Sequence, residues 1–320
     1  MRIISNLKKL FLLCFITTAI ISCNNDDTVS PQPIDNSIAG IASRDPQFTV
    51  LVSALTKAGL VNTLKGTGPF TVFAPTNTAF NAFLANSTPP YANVEAVPVA
   101  VLKELLLNHV LSGAVQSTEL TTGYIKTLAK GSASATNTLS MFVNTASGVK
   151  LNGVSNVTTA NKVATNGVMH TVDAVIGLPN LVTHATANPN FSSLTGIVNS
   201  APQAAVKTAL LGTGPLTVFA PTNAAFTALN IELAPGGTAG VSNANITKVL
   251  QYHVVSGNLL AANLTAGSIS TVLGQNFTLA LTPAAQITDI RSRVSGVTPA
   301  DVQCTNGVIH VLNKVLLPNF

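Results

Sequence analysis

The chain has 320 residues, 47% of them hydrophobic and only 8% charged, with no Trp. That length holds two domains of ordinary size, each with its own core, and charge so far below the usual quarter or so leaves the surface to Ser, Thr, Asn and Gly. Arg2, Lys8 and Lys9 sit in the leading stretch, so 13 basic residues face 11 acidic ones after it; a balance near +2 without a basic cluster excludes a nucleic-acid partner held by counterion release.

Residues 1–22 start basic, continue through the apolar run LFLLCFITTAI and end at Ile21-Ser22 before Cys23. The run covers about a dozen residues, short of the roughly 20 of a spanning helix, and predicts a cleaved secretory signal. An aliphatic residue, then Ile and a small Ser directly before Cys, resembles the bacterial lipobox, which implies that Cys23 becomes the first residue and carries a lipid into the membrane. Cys14 is then lost and Cys304 has no partner for an internal disulfide. Residues 23–37 are polar and contain Pro31 and Pro33, as expected of a tether. Asp26 and Asp27 resemble the acidic export signals of bacterial surface lipoproteins, which implies a surface-exposed position on the outer membrane; a plain solvated linker is the alternative.

Beyond the tether the chain repeats itself. GTGPFTVFAPTNTAF (66–80) returns as GTGPLTVFAPTNAAF (212–226), RDPQFTVLVSAL (44–55) as ANPNFSSLTGIV (187–198), NHVLSG (108–113) as YHVVSG (252–257), and ATNGVMHTVDAVIGLP (164–179) as CTNGVIHVLNKVLLP (304–318). The order is the same, and the offset varies between 140 and 146 along the chain, as it does when insertions lie in loops. A period so long predicts two units with separate cores, 38–180 and 181–320, rather than a stacked array. The short connection around NLVTHATANPN predicts that they touch.

Within the first block, Gly68-Pro69 predicts a turn and FTVFA a buried strand ended by Pro75, which has no ladder donor. Thr76 or Asn77 is placed to cap a helix whose Phe80, Phe83 and Leu84 recur at helical spacing. VLKELLLNHV and ITKVLQYHVV read as helices running into strands. Asn166-Gly167 and Asn306-Gly307 read as hairpin turns, with positive φ expected at both residues. The class is α+β.

TVFAPTNTAF and TVFAPTNAAF, the Tyr252-His253 pair and NGVIHVLNKVLLP together resemble the fasciclin domain, and the resemblance covers nearly all of 38–320. It implies two tandem β-wedges with surrounding helices, and a role in cell adhesion or contact with extracellular matrix. The partner would be an extracellular protein, a glycan or another copy of the chain. Tyr252, His253 and His109 are the candidate interaction residues; the first copy departs from the pattern with Asn108 before His109.

Chemistry-bearing residues point the same way. His109, His253, His170 and His310 follow or alternate with apolar residues, as satisfied core imidazoles do, and too few ligands gather for a metal. His170 and Asp173 suggest part of a hydrolytic triad, yet the second copy carries Asn313 in place of Asp173. No nucleophile elbow, phosphate loop or zinc-protease motif is present, so neither cofactor nor catalysis is expected. Cys304 takes the strand position of Ala164 and reads as a buried, inert thiol, and Asn77 and Asn223 read as caps. The alternative function is an enzyme, or its accessory subunit, acting on surface polymers.

Overall fold

The computed structural model describes residues 34–298 and 301–320. The leader, Cys23 and the tether up to residue 33 lie outside the described residues. The first lobe runs α1 (Ile38–Arg44), α2 (Thr49–Lys57), α3 (Val61–Lys65), β1 (Phe70–Pro75), α4 (Asn77–Asn86), α5 (Val99–Leu107), β2 (Val110–Ser112), β3 (Gly123–Gly131), β4 (Ser134–Asn144), β5 (Lys150–Leu151), β6 (Ser155–Ala164) and β7 (Gly167–Val172). The second runs α6 (Leu181–Ala187), α7 (Ser192–Val198), α8 (Ala204–Leu211), β8 (Leu216–Pro221), α9 (Asn223–Glu232), α10 (Asn243–Tyr252), β9 (Val254–Ser256), β10 (Gly267–Ser270), β11 (Asn276–Ala280), β12 (Gln286–Thr288), β13 (Val294–Gly296), β14 (Val302–Cys304) and β15 (Gly307–Leu312).

The repeated TVFAP strand is central in each lobe. β1 lies between β2, antiparallel, and β7, parallel, in a seven-stranded sheet ordered β2-β1-β7-β6-β5-β4-β3. Because successive side chains on a strand point to opposite faces, Val72 and Ala74 enter the core beneath the helices. Phe73 enters a second core closed by β4 and β5. In the second lobe β8 holds the same place between β9 and β15, but the sheet is divided into β14-β15-β8-β9 and β10-β11-β12-β13. The division falls where the long, bulged β6 of the first lobe is replaced by two short strands, β13 and β14, leaving only a bridge from Val297 to Leu312. Each lobe thus closes two cores of its own, one under the helices and one inside the wedge.

The structure refines the turn expectations. Ala164 pairs with Gly167, so the β6–β7 hairpin closes over Thr165-Asn166, one residue earlier than expected, and Asn166 does not adopt positive φ. Gly167 is needed for another reason: at φ +148° a Cβ there would fall on the Phe70 carbonyl of β1, and at Gly307 on that of Leu216. Thr76 and Thr222 cap α4 and α9, accepting from the Ala79 and Ala225 amides at 3.2 and 3.3 Å. The asparagines that follow do something else. Asn77 Oδ1 accepts from the Val50 amide at 2.9 Å while its Nδ2 donates to the Pro46 carbonyl, and Asn223 does the same with Ser193 and Pro189. Each ties the start of one helix to the start of another.

Candidate functional site

The Tyr-His region was the expected contact site, and the structure places it inside. His109 and His253 stand at the ends of α5 and α10. Nδ1 of His109 donates to the Leu105 carbonyl at 2.8 Å and Nε2 accepts from the Ile176 amide at 2.9 Å; His253 does the same with Val249 and Leu316. Both rings are buried, and desolvation lowers both pKa values to about 4. The Tyr252 hydroxyl donates to the Asn276 carbonyl at 2.8 Å and accepts from the Ile290 amide at 3.1 Å, with its ring wholly buried beside Phe277. Asn108, in the matching place of the first lobe, donates to the Ile176 and Gly177 carbonyls. His109 and His253 therefore clamp the last segment of each lobe to its helix end, Tyr252 ties the same helix end to Asn276 and Ile290, and all three are buried and offer no surface to a partner.

The second histidine pair has the opposite tautomer. His170 Nε2 donates to the Val115 carbonyl at 3.0 Å and Nδ1 accepts from the Asn161 amide, while His310 uses Leu259 and Asp301. Their rings lie against Phe73 and Phe219 at 5.5 and 5.3 Å. Asp173 is turned to Asn156, accepting from its amide and its side chain, and Asn313 accepts from the Gly296 amide in the equivalent place, so this position ties strand ends in both copies. Cys304 is buried in the helix-side core of the second lobe, and burial raises its thiol pKa. Among the described residues no three His, Cys, Asp or Glu side chains gather as a metal site, and no helix is long and apolar enough to cross a membrane.

What the repeat did not announce is the joint between the lobes. The tip of the β3–β4 hairpin lies on Thr305, whose carbonyl accepts from the Ala133 amide and the Ser132 hydroxyl, each at 2.8 Å; a Cβ on Gly131 would come within 2.6 Å of the Thr305 Cα. Ser140 Oγ accepts from the Gln303 amide at 3.0 Å, and Lys126 Nζ donates to the Asp301 carbonyl at 2.9 Å. Tyr124 of the first lobe packs against the second lobe's core and accepts from Asn188 Nδ2 at 3.2 Å. Against Tyr124, at 5.4 Å, stands His184 of α6, fully buried, with neither ring nitrogen hydrogen-bonded among the described residues. Desolvation lowers its pKa to about 3; the nearby backbone of Ser140 and Gln303 opposes this in part, and the Lys126 charge adds to it.

Beside the joint a cleft of about 550 Å³ opens between the lobes, lined by β3 and β4 on one side and by Asn188–Phe191, Thr222 and β14 on the other. Its first-lobe wall, β3 and β4, belongs to no repeated block, while Asn188–Phe191 and Thr222 lie within two of the blocks. One signal was available: α6 matches α1 residue for residue, and His184 occupies the half-buried apolar position of Ile41.

The family model described as "Fasciclin domain" matches residues 46–179 and 189–318. Protein sll1483 of Synechocystis is 36% identical over 138 residues, which cover 43% of this chain and 73% of that protein. Human periostin is 26% identical over 266 residues, 80% of this chain but 29% of periostin, so the chain spans under a third of that relative. A solved FAS1 domain pair from the insect cell adhesion molecule Fasciclin I superposes with a TM-score of 0.50 at 16% identity, covering 85% of this chain and 97% of that one, a likeness of fold.

Proposed function

The chain belongs to the fasciclin domain family, and from that premise we propose that it is a lipid-anchored extracellular adhesion or matrix-interaction protein acting through weak, multivalent contacts of its two lobes. One observation carries the reading. The histidines of the repeated motifs, with Tyr252, satisfy backbone groups inside the lobes, so the motifs build two scaffolds and leave recognition to the surfaces between and around them. The solved pair of the same fold comes from a molecule named for cell adhesion. The lipobox-like Ile21-Ser22-Cys23 supports a lipid anchor, and Asp26 and Asp27 beside it support an outward-facing position on the outer membrane.

A surface without Trp and with little charge lacks the residues that dominate high-affinity hot spots. Each contact is therefore weak, and many anchored copies raise avidity by roughly 10² to 10⁴. The test compares free chain with bead-displayed chain on arrays of matrix proteins, glycans and the chain itself. Displayed protein binds and free protein does not, with little effect of salt. Substrate turnover by the free chain, or display-independent nanomolar binding of one small ligand, would overturn the adhesion reading. Cells fed an alkyne fatty acid label the wild-type chain and not Cys23→Ser; equal labelling removes the lipid anchor from the proposal.

A further inference from the structure

The cleft between the lobes has the volume of a ligand site, about 550 Å³ against roughly 300 to 1,000 Å³ for small-molecule pockets, and it lies where such pockets favour forming, between two domains. Its chemistry is specific enough to name a class of ligand. Tyr124, half-buried, supplies aromatic surface from the first lobe and is backed by the buried Phe142, with ring centroids 5.0 Å apart. The polar groups around them are hydrogen-bond donors left over from the protein's own bonding. Asn188 donates to the Tyr124 hydroxyl, whose own hydrogen has no acceptor among the described residues. Lys126 Nζ uses two of its three donors, on Ser140 Oγ at 3.1 Å and the Asp301 carbonyl at 2.9 Å. Asn144 accepts through Oδ1 from the Ala146 amide, and the Asn190 side chain has no protein partner among the described residues.

Charge narrows the class further. One ammonium, Lys126, and one carboxylate, Asp301, line the cleft, so its field is balanced and a polyanion gains nothing by entering. An apolar ligand would strip water from the amide and hydroxyl donors without replacing it, leaving each of them unsatisfied. A ligand that is uncharged, rich in groups that both donate and accept, and flat enough on one face to lie on an aromatic ring meets all these conditions. We propose that the cleft binds a neutral saccharide, a short stretch of an uncharged extracellular polymer. This rests on the extracellular reading above and names the ligand of one of its surfaces.

The test uses the full chain with neutral trisaccharides built of glucose, mannose or N-acetylglucosamine, and trigalacturonate as the charged comparator, in ligand-observed saturation-transfer NMR. At least one neutral trimer gives transfer, strongest at the ring protons of the unit lying on Tyr124, and added salt leaves its affinity unchanged. Asn190→Ala, an exposed residue whose side chain the fold does not use, and Tyr124→Phe each weaken binding about tenfold, the scale of one or two lost hydrogen bonds. The proposal is overturned if no neutral trimer binds at millimolar concentration, if trigalacturonate binds more tightly and is released by salt, or if both variants bind like wild type. Bead assays with the same variants separate this outcome from the broader reading: unbound trisaccharide with beads that still adhere removes the cleft and leaves adhesion standing, whereas wild-type beads that adhere to nothing remove adhesion.

Discussion

Acidification to between pH 6.5 and 4 should unfold this protein through its buried histidines. His109 and His253 have pKa values of about 4 and His184 of about 3, against 6.5 for an exposed imidazole, each through burial first. A pKa lowered on folding means that the folded state holds the neutral ring, so the stabilisation is fully present above pH 6.5 and is lost as pH falls towards the folded value. Within the window the unfolded chain binds about three more protons than the native one, and each contributes about 1.4 kcal/mol per pH unit, so stability should fall by about 4 kcal/mol per unit. His170 and His310 are shifted the same way and steepen the loss. Against a total of roughly 5 to 15 kcal/mol for an ordinary domain, the fold should not outlast pH 4. Asp35 and Asp45 have pKa values held below 3.8, chiefly by hydrogen bonds from Ser37 and Gln47; their contribution is lost only below that value, outside the window. Urea unfolding of the full chain followed by circular dichroism at pH 7, 6, 5.5 and 5 measures the slope directly. A stability constant to within about 1 kcal/mol between pH 6.5 and 5 would refute the argument, because no burial of neutral imidazole is compatible with a flat profile.

Phe80→Ala should cost about 3 to 5 kcal/mol, since the ring is fully enclosed in the helix-side core of the first lobe; chemical denaturation measures it. Gly307→Ala should cost more than the 1 kcal/mol or so of an ordinary strand glycine, because its Cβ would meet the Leu216 carbonyl at φ +156°, and should appear as loss of soluble folded protein. Tyr252→Phe should lower stability by about 1 to 3 kcal/mol, leaving the Asn276 carbonyl and Ile290 amide unpaired, and leave bead adhesion at neutral pH intact.

The local architecture was legible because its causes are local. TVFAP followed by Thr and an apolar helix carries the strand, the stop and the cap within fifteen residues, and its recurrence showed two copies. The roles of the asparagines were not legible, since each acts across the chain: Asn166 accepts from the Ile38 amide, 128 positions away, while donating to the Leu64 and Gly66 carbonyls. Tyr252 and His253 stood out through the family resemblance; the apolar residues before His253 already pointed to a core imidazole, and the fold shows Tyr252 facing inward beside it. The cleft was illegible for a different reason. Tyr124, Lys126 and Ser140 come from a hairpin that the repeated blocks do not include, so self-comparison passes over them, while Asn190 lies inside a block and stands where the first copy has Gln47.

Those differences also explain why the joint is made once. It is a head-to-tail contact, in which the β3–β4 hairpin of one lobe meets the hairpin turn at Thr305 of the next, and such contacts propagate when every unit carries both surfaces. Both lobes carry the turn, Thr165-Asn166 in the first and Thr305-Asn306 in the second, and each turn is tied back to the carbonyl two residues before its own lobe's first helix, that of Asn36 or Pro179. Only the first lobe carries the reaching hairpin. β3 and β4 have 9 and 11 residues, while their counterparts β10 and β11 have 4 and 5, and β11 then pairs with β12 in a separate sheet. At about 3.3 Å per residue the shortening withdraws the second lobe's hairpin by some 15 to 20 Å, too far to meet a further turn in the same way. Divergence after duplication has therefore fallen on the one element whose length decides between a closed pair and an open chain, and the same element walls the cleft.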